Sequence, residues 1–233
     1  MNLYFGIALV ICAICGYLLG SINSSLIVGK FYGVDVRKYG SGNAGTTNVL
    51  RTLGKKAAAF TFIGDFLKGI IACLVGSGLI SLCLLVFGDA VFGEVTNPAQ
   101  IGLMAAGAFS VFGHNWPVYF GFKGGKGVLT TFSVLLMMGP VPALFALLFF
   151  IIVVALTKYI SLGSMLAGVF LPVFVGVTSL FDLRWGVDET VSYLIFTIPL
   201  VLLLIVRHRK NIVRLIHGTE NKFSLHKKAV DKI

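Results

Sequence analysis

The stretch from Val128 to Leu156, VLTTFSVLLMMGPVPALFALLFFIIVVAL, decides how this chain is threaded. It is long and apolar enough for a membrane span of roughly 20 residues. Yet Gly139, Pro140 and Pro142 stand in its middle, and these residues end helices and make turns. Two readings follow: one long kinked span, or two short helices hinged at the break. Five further apolar stretches surround it: Leu3 to Val28, Ala57 to Phe87, Pro98 to Phe112, Leu162 to Phe181 and Val191 to Val206.

Charge chooses between the readings, because Lys and Arg concentrate in the cytoplasmic loops of membrane proteins. The basic segments are Lys30 to Lys56, Gly113 to Gly127 and the tail from Arg207, which holds eight Lys and Arg. The acidic loops are Asp89 to Glu94, with two carboxylates and no base, and Asp182 to Glu189, with three carboxylates against Arg184. A single crossing from Val128 to Leu156 puts an acidic loop inside and the basic tail outside. A double crossing puts every basic segment in the cytoplasm. The expectation is an all-α, polytopic membrane protein with about seven short transmembrane helices, N-terminus outside and C-terminus cytoplasmic. Val128 to Met138 is short for a full crossing.

Composition agrees. Of 233 residues, 57% are apolar and 12% charged, against about 25% charged in ordinary soluble domains, and mean hydropathy is +0.95. The length holds several spans but no separate soluble domain, so residues 1–233 are read as one integral membrane domain. In so apolar a chain the net charge of +10 points to anionic lipid head groups or an anionic substrate, not to nucleic acid. The first 29 residues carry no charged side chain, unlike a cleavable signal peptide, so Leu3 to Val28 is expected to be a permanent span. Cys12, Cys15, Cys73 and Cys83 all lie in apolar stretches, where a thiol acts as a small hydrophobic group. Cys12 and Cys15 spell CxxC, but no βαβ pattern surrounds them. Gly16 and Gly20 have the spacing that lets membrane helices approach closely.

Three polar constellations fall on the basic face. The first, Asp35 to Arg51, is a glycine-rich run followed by Asn, Thr and Arg, able to offer several backbone N–H groups to one anion. Gly40, Gly42 and Gly45 spell GxGxxG with Asp65 twenty residues on, but no strand precedes them, which removes the dinucleotide reading. The second, GHNWPVYFGFKGGKG from Gly113 to Gly127, resembles a Walker A loop at first sight. Phe120 and Gly127 break that pattern, leaving two lysines among glycines as a phosphate cradle. The third begins at Arg207; on a helix, His208, Asn211 and Leu215 share a face. Ser161 and Ser164 lie next to the turn at Lys158 and are placed to point hydroxyls into the same vestibule. Asp65 and Lys68 lie just inside a span, where charges must pair or face a polar cavity. A terminal HxxxxD, His226 to Asp231, is set aside as a frayed polar end.

Together these constellations closely resemble the PlsY family, the bacterial acyl-phosphate:glycerol-3-phosphate acyltransferases. The resemblance covers essentially the whole chain and rests on GSGNAGTTNVLR (Gly40 to Arg51), GHNWPVYFGFKGGKG and HRKNIVRLIHGTE (His208 to Glu220), in the family's order and spacing. Thr46 stands where a small alanine is expected. The resemblance implies acyl transfer from fatty acyl phosphate to the 1-hydroxyl of sn-glycerol 3-phosphate, the first acylation step of phospholipid synthesis. It also implies that Ser41, Arg51, Lys126, His208 and Asn211 grip the phosphate of glycerol 3-phosphate, with Ser164 close by. The segment Gly42, Asn43, Ala44, Gly45, Thr46, Thr47 and Asn48 would cradle the acyl phosphate. Lys123, Gly124 and Gly125 would shape the second loop, His114 would brace it, and Glu220 would order the tail.

Acyl phosphate carries a good leaving group, so charge stabilisation and positioning matter more than a strong nucleophile. The imidazoles sit among cations that oppose a further positive charge, so a substrate phosphate oxygen is the expected proton acceptor. No cofactor and no metal are expected. The expected partners are the two substrates, the bilayer and the enzyme that makes acyl phosphate. The expected place is the bacterial cytoplasmic (inner) membrane, with the active site facing the cytoplasm. The rival reading is an organic-phosphate transporter, favoured only by Asp65 and Lys68.

Overall fold

A computed structural model of the chain describes residues 3–88, 95–181 and 186–223. The acidic loop Asp89 to Glu94, Asp182 and Arg184 of the second acidic loop, and the segment His226 to Asp231 lie outside the described residues. Regular structure among the described residues is entirely helical. The helices are α1 (Leu3–Ser21), α2 (Ser24–Phe31), α3 (Thr46–Thr52), α4 (Lys55–Phe87), α5 (Pro98–Asn115), α6 (Val128–Met138), α7 (Pro140–Thr157), α8 (Ile160–Phe181), α9 (Val187–Arg207) and α10 (Arg209–Ile216). Five segments are long and apolar enough to cross a membrane: α1 with α2, then α4, α7, α8 and α9.

The break at Gly139 is real. Its extended backbone (φ −166°, ψ 103°) separates α6 from α7, and Pro140 starts α7 where its missing N–H is not needed. The two helices form an out-and-back pair. Met138, at the far end of α6, has its carbonyl within reach of Gln100 at the start of α5, 3.4 Å away. The opposite end of α5 and the start of α6 meet at the Gly113–Gly127 loop. Thr157, ending α7, returns to that side, where the Lys158 carbonyl accepts from the tail at Phe223 N. The eleven residues of α6 rise only about 16 Å, half of a bilayer core of about 30 Å.

The apolar stretch Leu3 to Val28 is not one helix. It breaks at Ile22, and Asn23 caps α2 by accepting from Leu26 N. The break leaves the Ile22 carbonyl free for a side chain from α4.

Small residues set the packing of α1 on α5. A Cβ at Gly16 would run into the Ala106 carbonyl, one at Gly20 into that of Ser110, and one at Gly113 into that of Tyr17. This is the close approach expected from the Gly16–Gly20 spacing. Gly16→Ala should therefore lower the melting temperature in detergent, by overpacking worth about 1–3 kcal/mol. Gly78→Ala, whose Cβ meets nothing within 4 Å, should leave it unchanged. Equal melting curves for the two variants would refute the close-packed α1–α5 seam.

Large apolar side chains such as Ile7, Ile63, Leu148, Val173 and Leu202 point outward, while Ser21, Asn48, Asp65, His114, Ser133 and His208 are buried. That distribution suits a lipid solvent. All four cysteines are free, with Cys12 and Cys73 buried in the core.

Candidate active site

The first loop is shaped from within. Buried Asn48 donates to the carbonyls of Val36 (2.8 Å) and Tyr39 (3.1 Å) and accepts from Ser41 N (2.8 Å). Gly40 and Gly42 have φ of +61° and +70°, a left-handed backbone that glycine adopts without strain. The turn delivers Ser41 and the start of α3 to a common cavity, with Arg51 in the last turn of α3.

The second loop is pinned at both edges by arginines. Arg37, held by Asp35 at 2.9 Å, donates to the carbonyls of Phe120 (3.2 Å) and Lys123 (3.0 Å). Its guanidinium holds the Asp35 carboxyl below its ordinary range. On the other side Arg207 donates to the carbonyls of Gly125 (2.6 Å) and Asn115 (3.4 Å) and lies over the Trp116 ring. Within the loop, Gly124 N and Gly125 N donate to the carbonyls of Asn115 and His114. A Cβ on Gly124 would strike the His114 carbonyl, and one on Gly125 would strike His114 Nε2 and the Ala44 carbonyl. The two glycines are therefore there for close contact with the backbones of His114 and Ala44 and with the His114 ring, and Lys126, next in the chain, lines the cavity.

Lys126 meets the third constellation, its Nζ donating to Asn211 Oδ1. Asn211 Nδ2 in turn donates to Glu220 Oε1 (2.8 Å), which also accepts from Ser161 Oγ (3.0 Å), while Glu220 Oε2 accepts from Arg214 Nε (2.7 Å). Arg51 Nη2 donates to the Asn221 carbonyl at 3.3 Å. The tail is thus folded back over α3 and α8, with Glu220 at its centre.

All this surrounds a cavity of about 400 Å³ with two chemically distinct limbs. One is cationic and polar, walled by Ser41, Arg51, Lys126, Ser161, Ser164, His208 and Asn211. The other is apolar and runs between α6, α7, α8 and α9 past Leu135, Leu147, Phe150, Leu171 and Val201.

Burial is the main force on the ionisable groups of the polar limb. It pushes Lys126 down to about 8, although Glu220 pulls the other way. It pushes His208 down to about 4, helped by the positive charge of Lys126. Burial also lowers Arg51. Glu220 is held below its ordinary value because hydrogen bonds from Arg214, Asn211 and Ser161 together outweigh its burial. His208 Nδ1 is 2.8 Å from the Leu204 carbonyl, which can only accept, so the Nδ1 proton is fixed and the Nε2 lone pair is left over.

The residues expected to grip phosphate come together here: Ser41, Arg51, Lys126, Ser164, His208 and Asn211 all line the cavity, as do Asn43, Gly45, Thr46, Thr47, Asn48, His114 and Glu220. Gly42, Ala44, Lys123, Gly124 and Gly125 are not on its wall. Ala44 is fully buried, and the exposed Lys123 contributes its backbone carbonyl to Arg37. Arg37 and Arg207 had no role in the sequence reading. They are bases within basic runs, and only the fold shows that their targets are carbonyls of the loop beside them. Asp65 and Lys68 pair at 2.8 Å beneath the second loop.

Comparisons with known proteins converge. The family model described as Glycerol-3-phosphate acyltransferase matches residues 10–218. A glycerol-3-phosphate acyltransferase of Clostridioides difficile (strain 630) is 43% identical over 218 residues, 91% of this chain and 94% of that protein. One from Geobacter sulfurreducens is 39% identical, with 89% and 93% covered. The crystal structure of PlsY (YgiH), an integral membrane glycerol 3-phosphate acyltransferase, is similar in its glycerol 3-phosphate form. Its TM-score is 0.74 at 38% identity, over 93% of this chain and 96% of that one. Its lysophosphatidic acid form is similar with a TM-score of 0.72 at 37% identity, over the same 93% and 96%.

Proposed function

From the premise that this chain belongs to the glycerol-3-phosphate acyltransferase family, we propose that its acyl donor is a fatty acyl phosphate and its product 1-acyl-sn-glycerol 3-phosphate. The chain is a multi-pass membrane acyltransferase. The observation that carries the donor and product assignment is the two-limbed cavity, with cations for phosphate at one end and an apolar passage for an acyl chain at the other. The PlsY forms with glycerol 3-phosphate and lysophosphatidic acid support the same acceptor and product.

In this reading Arg51, Lys126, Ser41 and Asn211 hold the glycerol 3-phosphate phosphate, with Ser164 beside it. Thr46 and Thr47 offer backbone N–H groups to the acyl phosphate. The glycerol 1-hydroxyl oxygen forms the new bond to the acyl carbon, the acyl carbon–oxygen bond to phosphate breaks, and the electron pair leaves on phosphate. His208 is uncharged at neutral pH and too weak a base to compete, so the hydroxyl proton passes to a phosphate oxygen. His208, whose free Nε2 lone pair has no proton to give to phosphate, does not grip phosphate as the resemblance implied but accepts a hydrogen bond that orients the hydroxyl.

The polar limb faces the cytoplasm of a bacterial inner membrane, by the positive-inside rule applied to the basic segments gathered around it. There the chain, acting as one domain over residues 1–233, receives acyl phosphate from the enzyme that makes it. The test is phosphate release by purified protein given glycerol 3-phosphate with palmitoyl phosphate or palmitoyl-CoA. Release and acylated product with palmitoyl phosphate alone are expected. Product formed from palmitoyl-CoA would overturn the donor assignment, and silence with both would remove the enzymatic reading.

A pH profile follows from Lys126. It is cationic below about 8 and loses its charge above, so kcat/KM for glycerol 3-phosphate should fall as pH rises through about 8. Lys126→Arg should move that limb upward, because a guanidinium stays protonated. A flat profile between pH 7 and 9 in the unmodified protein would contradict the placement of Lys126 on phosphate.

A further inference from the structure

Beneath the second loop lies a buried cluster that the reaction scheme above does not use. Lys68, on α4, is 2.8 Å from Asp65 Oδ1, 3.0 Å from the Ile22 carbonyl freed by the α1–α2 break, and 2.9 Å from His114 Nδ1. An ammonium has three protons and no acceptor, and here each proton has one acceptor. His114 Nδ1 must therefore be a lone pair, and the imidazole proton must sit on Nε2. The nearest Asp65 oxygen lies 3.6 Å from Nδ1, farther than the ammonium at 2.9 Å. Asp65 is itself fixed by Ser24 N at 3.3 Å.

The protonated edge of His114 points away from this cluster. Nε2 lies against the Gly125 backbone, so close that a Cβ there would strike it together with the Ala44 carbonyl. It has no hydrogen-bond partner among the described residues, although His114 is only 4% exposed and lines the cavity. The hydroxyl of Thr131, which also lines the cavity, is buried and unpartnered. Buried donors are seldom left without an acceptor. The Thr131 hydroxyl and the unpartnered Nε2–H of a cavity-lining histidine together point to an oxygen-bearing ligand in the cavity.

We propose that His114 is a hydrogen-bond donor to the acyl-phosphate substrate, with Lys68 and Asp65 as positioning residues that hold its proton on Nε2. The inference rests on the acyl-phosphate reading for the identity of the acceptor, but the tautomer does not. Its neighbourhood names the substrate: the Ala44 carbonyl lies beside the same Gly125 position that Nε2 crowds, and Ala44 belongs to the loop that leads into the cavity-lining Thr46 and Thr47. The two cavity histidines are thereby complementary, His208 presenting an acceptor to the hydroxyl and His114 a donor to the acyl phosphate.

The test has two arms. In ¹⁵N-histidine-labelled protein in nanodiscs, one imidazole should show the Nε2–H tautomer and disappear in His114→Gln. In Lys68→Met the same imidazole should move to Nδ1–H. An Nδ1–H signal for His114 in the unmodified protein overturns the proposal, whether or not the protein turns over acyl phosphate. In kinetics, His114→Ala should lower kcat/KM for palmitoyl phosphate by ten- to hundredfold, with KM for glycerol 3-phosphate within twofold. His114→Gln, whose amide nitrogen falls near Nε2, should recover most of the loss, and His114→Asn, whose amide falls near Nδ1, should not. Equal loss in the glutamine and alanine variants, or a loss carried by KM for glycerol 3-phosphate, would overturn the donor role. Failure of the unmodified protein to use palmitoyl phosphate would refute the donor assignment while leaving the tautomer result standing.

Discussion

Lys126→Ala is expected to lower kcat/KM for glycerol 3-phosphate by about a hundredfold, most of it through KM. A charge-assisted hydrogen bond to phosphate is worth roughly 1.5–3 kcal/mol, which alone gives about ten- to hundredfold. The fold adds a second loss. Lys126 Nζ is the donor to Asn211 Oδ1, while Asn211 Nδ2 is held by Glu220. Without the lysine the amide keeps one anchor of two and is free to turn, so a second phosphate ligand is loosened along with the first. Lys126→Met tests the division, since it fills the volume without the charge. If alanine and methionine lose equally, the charge and hydrogen bond dominate; a methionine variant near the unmodified rate would refute the assignment.

Much of this architecture was legible in the residue string, and the reasons are physical. The break at Gly139 and Pro140 could be read because proline and glycine act locally, and the out-and-back course of α6 and α7 followed from charge alone. Gly16 and Gly20 were readable because helical spacing places them on one face. The break of the first stretch at Ile22 was missed: Asn23 was one polar residue in a long apolar run, and its meaning lies in the Lys68 ammonium that binds the freed carbonyl. Arg37 and Arg207 were unreadable for the same reason, because a guanidinium that binds backbone carbonyls leaves no pattern in sequence. Asn48 looked like part of an anion cradle, yet its amide is spent on Val36, Tyr39 and Ser41. What the string conveys well is local conformation and which polar segments gather together; what it hides is which polar groups consume one another.

The Asp65–Lys68 pair carries the largest expected effect on stability. Asp65→Asn keeps an oxygen for Ser24 N but removes the charge that offsets a buried ammonium, whose side chain is only 6% exposed. Breaking a buried pair by neutralising one partner costs about 3–5 kcal/mol, so the melting temperature in detergent should fall by on the order of 10 °C. Adding Lys68→Met removes the stranded charge, and the double variant should regain most of that loss, because a buried pair contributes little net stability against well-packed neutral residues. Recovery of fold should come without recovery of rate. With no ammonium on Nδ1, His114 takes its own proton there and donates to the Ile22 carbonyl or to the amide oxygen introduced at position 65, turning a lone pair toward the substrate. A double variant that is both stable and fully active would reduce the cluster to packing. One that melts normally but is slow with palmitoyl phosphate would separate what these charges do for the fold from what they do for the reaction.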